Sequence, residues 1–365
     1  MPNKRVVAAM SGGVDSSTAL ALLKGEGYDC IGVSMQLWDY SKKDDHAGAS
    51  AGSCCSLDDI CGARSVADGL GVPFYVVNLE AAFARDVVDN FVEEYRMGRT
   101  PNPCVRCNQF LKFDALMRKA SALEADYVAT GHYARVEAGN GAWRLLKGVD
   151  PEKDQSYFLF TMTQEQLSRT LFPLGGLTKD EVRAIARRLG LKTHNKGESQ
   201  EICFVDEAGY AAFLSGRIQA KPGDIINEAG ERLGAHNGLY NYTIGQRKGL
   251  GLSGGPHYVV GIDVAANRLI VGGEDGLYLG GLTASGVNWI SRESAEALQN
   301  GGLRPVTAKI RYRHEGVEAD VTLGEGGLVR VAFKTPQRSV TPGQAVVFYR
   351  GEEVLGGGWI ERGYL

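Results

Sequence analysis

No apolar run in this chain approaches the length of a membrane span, which excludes a helical membrane protein and a membrane partner. No internal repeat or low-complexity tract occurs, which excludes solenoids and fibrous classes. An excess of one charge is also missing. Forty Lys and Arg against 43 Asp and Glu leave a net charge of −3. That argues against a generic polyanion binder and leaves room only for a local basic face. The seven cysteines are an odd number, which opposes a disulfide framework and points to thiols kept for chemistry or metal. Met1 to Lys4 run straight into an apolar stretch, so no secretory signal and a cytoplasmic location are expected. With 365 residues, 44% apolar and 23% charged, the chain has room for two or three globular domains.

What is present is organised around residues 5–18. Val6 to Met10 is an apolar run of the kind that forms a buried parallel strand. Ser11-Gly12-Gly13-Val14-Asp15-Ser16 follows, and Thr18 to Lys24 begins an apolar helix. Strand, Gly-rich turn and helix together aim backbone N–H groups at an anion. The turn lacks the Gly-Lys-Ser/Thr ending of a Walker loop and the Gly-x-Gly-x-x-Gly of a dinucleotide fold. It resembles the SGGxDS signature of the PP-loop ATP pyrophosphatases, which implies ATP held by Ala9, Met10, Ser11, Gly12, Gly13, Val14, Asp15 and Ser16.

Further strands are expected within 28–37, 73–79 and 126–130, with helices over 56–70, 82–97 and 108–123. Met35, near the carboxyl end of the second strand, suits either an adenine face or the core. Residues 39–55 read as an insertion loop. Cys54, Cys55 and Cys61 would need His46 as a fourth metal ligand, and incidental thiols are the alternative. Pro101 and Pro103 suggest extended backbone ahead of a helix at Asn108, which would put Cys107 at a helix N-terminus favouring its thiolate. Cys104-Val-Arg-Cys107 has no second Cys-x-x-Cys to complete a zinc ribbon. Gly131 ends the fourth strand, and His132 beside it suits either substrate contact or a structural hydrogen bond. A hairpin is expected over 135–147, and Thr178 with Glu181 makes a capping box for a helix to Leu189. Its tail of Arg183, Arg187, Arg188, Lys192 and Lys196 answers the helix dipole or an RNA backbone.

Beyond Val205 the pattern changes. Residues 221–276 are Gly- and Asp-rich with short strands at 258–263 and 267–272. Gln246-Arg247-Lys248 between glycines suits a backbone-gripping loop or a solvated turn. Residues 282–365 alternate with period two between glycine turns, as a small antiparallel barrel does. Lys309, Arg311 and Arg313 are expected on one strand face with Tyr312 opposite; Lys334 and Arg338 complete a basic surface.

SGGVDS, NPCVRCN, GHYAR, KDQSYFL and SQEICFV, followed by NYTIGQRKGLG, KIRYRH and TPGQAVVFY, resemble the tRNA-specific 2-thiouridylase family over nearly the whole chain. The fold implied is α/β. A parallel-sheet PP-loop domain (1–205) precedes a small β-rich central domain (206–276) and a C-terminal antiparallel β-barrel that contacts tRNA (277–365). The activity implied is ATP-dependent 2-thiolation of the wobble uridine, with Mg2+ accompanying ATP. Cys107 would be the nucleophile and Cys203 the persulfide carrier, the two closing a transient disulfide. Asn102, Pro103 and Cys104 would face the target base. Met35 and Gly131 would join the ATP site. His132, Lys153, Asp154, Gln155, Arg311, Tyr312 and Gln344 would touch tRNA. A sulfur-carrier protein or a cysteine desulfurase would supply sulfur to a monomeric enzyme.

Cys104 stands where some members carry an aspartate proposed as general base. A second arrangement is therefore open, in which Cys104, Cys107 and Cys203 hold a [4Fe–4S] cluster. Outside the family, an ATP-dependent amidating ligase on the same loop has no use for Cys107 and Cys203. A non-catalytic RNA-binding protein need not turn over ATP.

Overall fold

The computed structural model describes residues 4–38, 57–139, 141–195, 202–205 and 208–365. The chain divides into two compact units. The first takes Met1–Val87, Cys104–Glu207 and Glu352–Val354; the second takes Val88–Pro103, Ala208–Gly351 and Leu355–Leu365.

In the first unit the strands are β1 (Arg5–Ala9), β2 (Asp29–Gln36), β3 (Phe74–Asn78), β4 (Tyr127–Ala129), a hairpin of β5 (Ala134–Gly139) and β6 (Ala142–Lys147), and β7 (Thr170–Leu171). Five of them form a parallel sheet in the order β3-β2-β1-β4-β7. β1 lies at the centre because its run has no polar face. Val6, Ala8 and Met10 pack on one side with Leu20 and Leu23 of helix α1 (Val14–Gly25) and Ala63 and Ala67 of helix α2 (Leu57–Gly69). Val7 packs on the other with Leu116, Met117 and Ala120 of the helix Leu116–Ala122. Each fully buried Val or Leu contributes about 1.5–3 kcal/mol. The chain steps outward from β1 to β3, then returns to the far side of β1 as β4. The carboxyl ends of β1 and β4 therefore flank the point where strand order reverses, the crevice where open α/β sheets bind ligands.

One expected boundary moves. Helix begins at Pro103, not Asn108: Pro103–Arg106 is α-helical and Cys107–Ala115 continues as a π-helical segment. Proline's fixed φ and missing N–H suit the first helical position, so Pro103 starts the helix where extended backbone was expected. Cys107 consequently sits one turn inside, without the N-terminal position that its spacing from Asn108 suggested.

In the second unit, β8 (Gly223–Asn227), β9 (Arg232–His236), β10 (Tyr258–Asp263) and β11 (Arg268–Gly272) form a sheet in the order β10-β11-β8-β9, around Ile225, Leu250, Val259, Leu269 and Val271. Then follow β12 (Tyr278–Trp289), β13 (Leu303–Lys309), β14 (Val317–Leu323), β15 (Val329–Arg338), β16 (Ala345–Arg350) and β17 (Glu353–Tyr364). The order β12-β15-β14-β13-β16-β17, closed by β12 pairing with β17, is a six-stranded antiparallel barrel. Its interior is filled by alternate residues such as Val306, Ala308, Val329, Val331, Val346 and Phe348. The α/β fold with a C-terminal antiparallel barrel is thus the one the sequence implies.

Candidate active site

The site is built on the turn after β1. Met10 donates its N–H to Val33 O at 2.8 Å, which carries the parallel ladder one residue past the strand. The chain then bends into α1, whose N-cap is Gly13. Gly13 has no side chain to cap this helix, so its first N–H groups are not satisfied by the N-cap residue. Ser11 N–H donates to Ser16 Oγ at 3.1 Å, while Ser17 Oγ donates to Gly13 O at 2.8 Å and Thr18 Oγ1 to Val14 O at 2.8 Å. These bonds tie the turn to the first turn of the helix. Gly12 has φ +72°, and a Cβ there would run into the Asp59 backbone of α2. Gly131, just past β4, lies so close to the loop that a Cβ would meet Asp15 C and Ser16 N at 2.9 Å. The structure thus brings Gly131 against Asp15 and Ser16 at the switch point. Met35 packs, partly exposed, beside Ala9, Ile31 and Val77.

Asp15 accepts three hydrogen bonds from two residues. Lys179 Nζ donates to Oδ1 and Oδ2, both at 2.8 Å, and the Tyr133 hydroxyl donates to Oδ1 at 2.8 Å. The Lys179 side chain is 10% exposed and that of Asp15 31%. Neither Lys179 nor Tyr133 stood out in the sequence. Lys179 is the first residue after the Thr178 cap, whose capping box with Glu181 is present as expected and lowers the Glu181 carboxyl pKa through the Thr178 hydrogen bonds. Its backbone N–H is fixed by Asp150 Oδ2 at 2.8 Å.

The KDQSYFL stretch supports Tyr133 and itself. Gln155 accepts from Tyr133 N–H at 3.1 Å and donates its own N–H to Tyr133 O at 2.9 Å. Asp154 is buried and accepts from Gly148 N–H, Ser156 N–H and Ser156 Oγ. Lys153 is half-buried at the turn, its N–H on Asp150 O at 3.2 Å.

His132 is buried, 8% exposed, between Phe113 and Phe172. Its Nδ1 lies 2.7 Å from Thr130 Oγ1 and its Nε2 3.5 Å from Lys112 Nζ. Burial, with the nearby Lys112 ammonium, holds its pKa well below the ordinary imidazole value. The ring is therefore neutral at pH 7, and a tautomer with Nδ1–H toward Thr130 leaves Nε2 to accept from Lys112.

Among the candidate cysteines Cys104 is exposed, whereas Cys107 and Cys203 are half-buried. Cys107 opens the π-helical segment, and π turns recur at functional sites. Asn108, next along, donates from Nδ2 to Phe158 O at 3.3 Å, and its Oδ1 is buried with no hydrogen-bond partner among the described residues. Phe204 anchors the turn that carries Cys203. It stacks on Trp38, just past β2, with centroids 6.5 Å apart, and meets Phe83 edge-on at 5.5 Å. The Glu80–Phe83 turn also packs on Cys107–Ala115, so the two cysteine-bearing segments share one neighbour. Ser199, Gln200 and Glu201 of the SQEICFV motif lie outside the described residues, as do Lys196, His46, Cys54 and Cys55.

The remaining candidates belong to the second unit. Asn102 and Pro103 are buried. Gln344 donates to Thr100 O and Pro101 O. β13 ends at Lys309, so Arg311 and Tyr312 lie in the turn beyond it instead of on opposite faces of a strand. Arg311 donates to Arg338 O at 3.1 Å. Among the described residues no three His, Cys, Asp or Glu side chains are grouped to hold a metal ion.

Comparison with known proteins agrees with this layout. Residues 4–207 match the family described as tRNA methyl transferase HUP domain, 211–273 its PRC-barrel domain, and 280–360 the aminomethyltransferase beta-barrel domain. A tRNA-specific 2-thiouridylase MnmA of Geobacter metallireducens is 56% identical over 363 residues, 98% of this chain and 97% of that protein. Proteins of the same name from Geotalea uraniireducens and Clostridium perfringens are 54% and 46% identical, covering 98% and 99% of this chain and 95% and 99% of theirs. At that identity over the full length, the chain belongs to the tRNA-specific 2-thiouridylase MnmA family.

Proposed function

We propose that this protein uses ATP to replace the C2 oxygen of a tRNA wobble uridine with sulfur. The observation that carries the reading is the Ser11–Ser16 turn at the switch point, with Gly131 stripped of a side chain beside it and Asp15 fixed by Lys179 and Tyr133. The names of the relatives and the two cysteine-bearing segments resting on a common neighbour support it.

A uridine carbonyl is a poor electrophile until its oxygen becomes a leaving group. The C2 oxygen attacks the α-phosphorus of ATP, pyrophosphate leaves, and an O-adenylate forms. The backbone N–H groups of residues 13–16 at the amino end of α1 offset the charge of the triphosphate. Magnesium accompanying ATP would supply charge neutralisation at the triphosphate.

A persulfide on Cys203, charged by a sulfur-carrier protein or a cysteine desulfurase, then delivers its outer sulfur to C2, and AMP departs. The Cys107 thiolate attacks the Cys203 sulfur. The sulfur–sulfur bond to the base breaks, 2-thiouridine is released, and a Cys107–Cys203 disulfide forms. An external dithiol reduces it for the next cycle. Asn102, Pro103 and Cys104 present the target base. His132, Lys153, Asp154, Gln155, Arg311, Tyr312 and Gln344 serve tRNA binding, directly or by shaping the surface. In this reading residues 1–205 carry the chemistry, 206–276 form the central domain and 277–365 the tRNA-contacting barrel of a cytoplasmic monomer.

The test is ATP-dependent formation of 2-thiouridine in tRNA by wild type, Cys107→Ser and Cys203→Ser, with a persulfide donor and with and without added iron. The reading expects product from wild type without iron and none from either variant. Pyrophosphate release without 2-thiouridine in wild type and both variants alike would point to an amidating ligase; a requirement for iron would point to a cluster.

A further inference from the structure

We propose that Lys112 is a further catalytic residue, whose ammonium meets the α-phosphate of the uridine adenylate and offsets the charge that builds there as AMP leaves. The inference deepens the proposed function and rests on it.

Lys112 is turned toward the nucleophile by the irregular winding of its helix. The Cys107–Ala115 segment is π-helical, and its i→i+5 pattern shows in the bond from Leu116 N–H to Leu111 O. In an α-helix the residues stacked over Cys107 would be Phe110 and Leu111. The longer π turn brings Lys112 round toward the face that Cys107 occupies. Leu111 is fully buried, whereas Cys107 and Lys112 are both half-buried.

The far end of the side chain is fixed beside the nucleotide loop. Lys112 Nζ lies 3.5 Å from His132 Nε2, and His132 Nδ1 lies 2.7 Å from Thr130 Oγ1. Thr130 and His132 flank Gly131, the residue that abuts Asp15 C and Ser16 N. The partner of the ammonium is thus one residue from the closest approach of this strand end to the loop. Burial between Phe113 and Phe172 keeps the ring neutral, so it accepts from an ammonium that a protonated ring would repel. Cys107, Lys112, His132 and the loop all belong to the first compact unit.

The charge of Lys112 is not matched within the protein. Among the described residues no carboxylate pairs with it, and Asp114, two residues on, pairs with Arg118. Lys179, by contrast, gives its charge to Asp15. A half-buried ammonium without an anion is incompletely stabilised, and the anion that the reaction brings to this strand end is a phosphate. When the persulfide anion of Cys203 bonds to C2, the C2–O bond breaks and its electron pair stays on the phosphate oxygen. AMP therefore leaves with one more negative charge than the adenylate carried, the charge having moved from sulfur to that oxygen. A fixed cation at that point holds the departing charge more strongly than the ground state, which lowers the barrier.

Lys112→Gln removes the charge and keeps an N–H donor, and Lys112→Arg keeps the charge. Each is compared with wild type for the single-turnover thiolation rate at saturating ATP and tRNA, for tRNA Kd by filter binding, for ATP KM and for Tm. Rates are taken at neutral pH and about one unit above the ordinary thiol value of about 8.5. Removing one preorganised donor to a developing anion costs on the order of a hundred- to a thousandfold in rate. Lys112→Gln is expected to lose that much at both pH values, with tRNA Kd and ATP KM within about tenfold and Tm unchanged, and Lys112→Arg to regain part of the rate. Weakened tRNA binding with the rate kept at saturation would overturn the assignment in favour of a grip on tRNA. A rate restored at the higher pH would overturn it in favour of an effect on the Cys107 thiol. An unchanged rate in Lys112→Gln overturns it outright, and so does a parallel fall of rate, tRNA affinity and Tm in both variants, which marks a structural lysine. A wild type that makes no 2-thiouridine sinks the proposed function and this inference together; a working wild type beside an unaffected Lys112→Gln sinks this inference alone.

Discussion

Lys179 Nζ donates to both carboxylate oxygens of Asp15, each at 2.8 Å, across 164 residues of sequence. The pair joins the nucleotide-loop helix to the helix Lys179–Arg188, and the Tyr133 hydroxyl completes it. A carboxylate at the mouth of an anion site would repel a triphosphate. Lys179 neutralises that charge and fixes the first turn of α1. Lys179→Met is expected to raise KM for ATP at least tenfold with little change in tRNA affinity. It should destabilise the protein by about 1–3 kcal/mol, a range kept low because Asp15 is partly exposed. Lys179→Arg should recover part of both. ATP KM and thermal unfolding check this; an unchanged KM would mean the pair is scaffolding alone.

Gly131→Ala forces a methyl group against Asp15 C and Ser16 N. The clash is with backbone and cannot be relieved by rotating a side chain. Overpacking of this kind costs about 1–3 kcal/mol, and here it also pushes on the nucleotide loop. Loss of ATP binding by calorimetry, larger than the loss of Tm would explain, is the expected outcome. Normal ATP affinity would show that the loop tolerates the displacement.

His132 gives a pH dependence. Its folded pKa is depressed by burial and by Lys112, so the unfolded chain binds the proton more readily. Stability is fully present above the unfolded value of about 6.5 and is lost as pH falls from there toward the folded pKa. His314 shifts in the same direction, so the measurement is the difference between wild type and His132→Gln. Denaturant unfolding at pH 7.5 and 5.5 should show a smaller acid loss in the variant. Equal losses would mean that the ring accepts its proton without cost.

Phe204→Ala removes the stack on Trp38 and the edge contact with Phe83. Each aromatic pair contributes about 0.5–1.5 kcal/mol beyond area burial. Thiolation should fall while tRNA-dependent adenylation continues, because the Cys203 turn is released and the nucleotide loop is untouched. Trp38 should also change its fluorescence. Thiolation at the wild-type rate would remove Phe204 from the account.

Much of this was legible in the chain. Buried parallel strands such as β1 appear as unbroken apolar runs, and the turn after it appears as glycine and serine. The barrel appears as period-two alternation. What escaped was long-range or permissive. Nothing near Lys179 announces a partner at Asp15, and a capped helix gives the same local pattern without one. Pro103 is compatible with extended chain and with a first helical turn, and packing chose the helix. β8 and β9 carry only short apolar pairs such as Ile225 and Ile226 beside polar residues. Arg311 and Tyr312 continue the alternation of β13 past the residue where pairing stops.

The most direct test measures pyrophosphate release and 2-thiouridine in the same reaction, with and without tRNA, in wild type and in the Cys107→Ser and Cys203→Ser variants. The account predicts tRNA-dependent release of about one pyrophosphate per thiolated base in wild type, where each sulfur entry displaces one adenylate, and continued adenylation without thiolation in the variants. Thiolated product in either variant, or product formed without ATP, would contradict it.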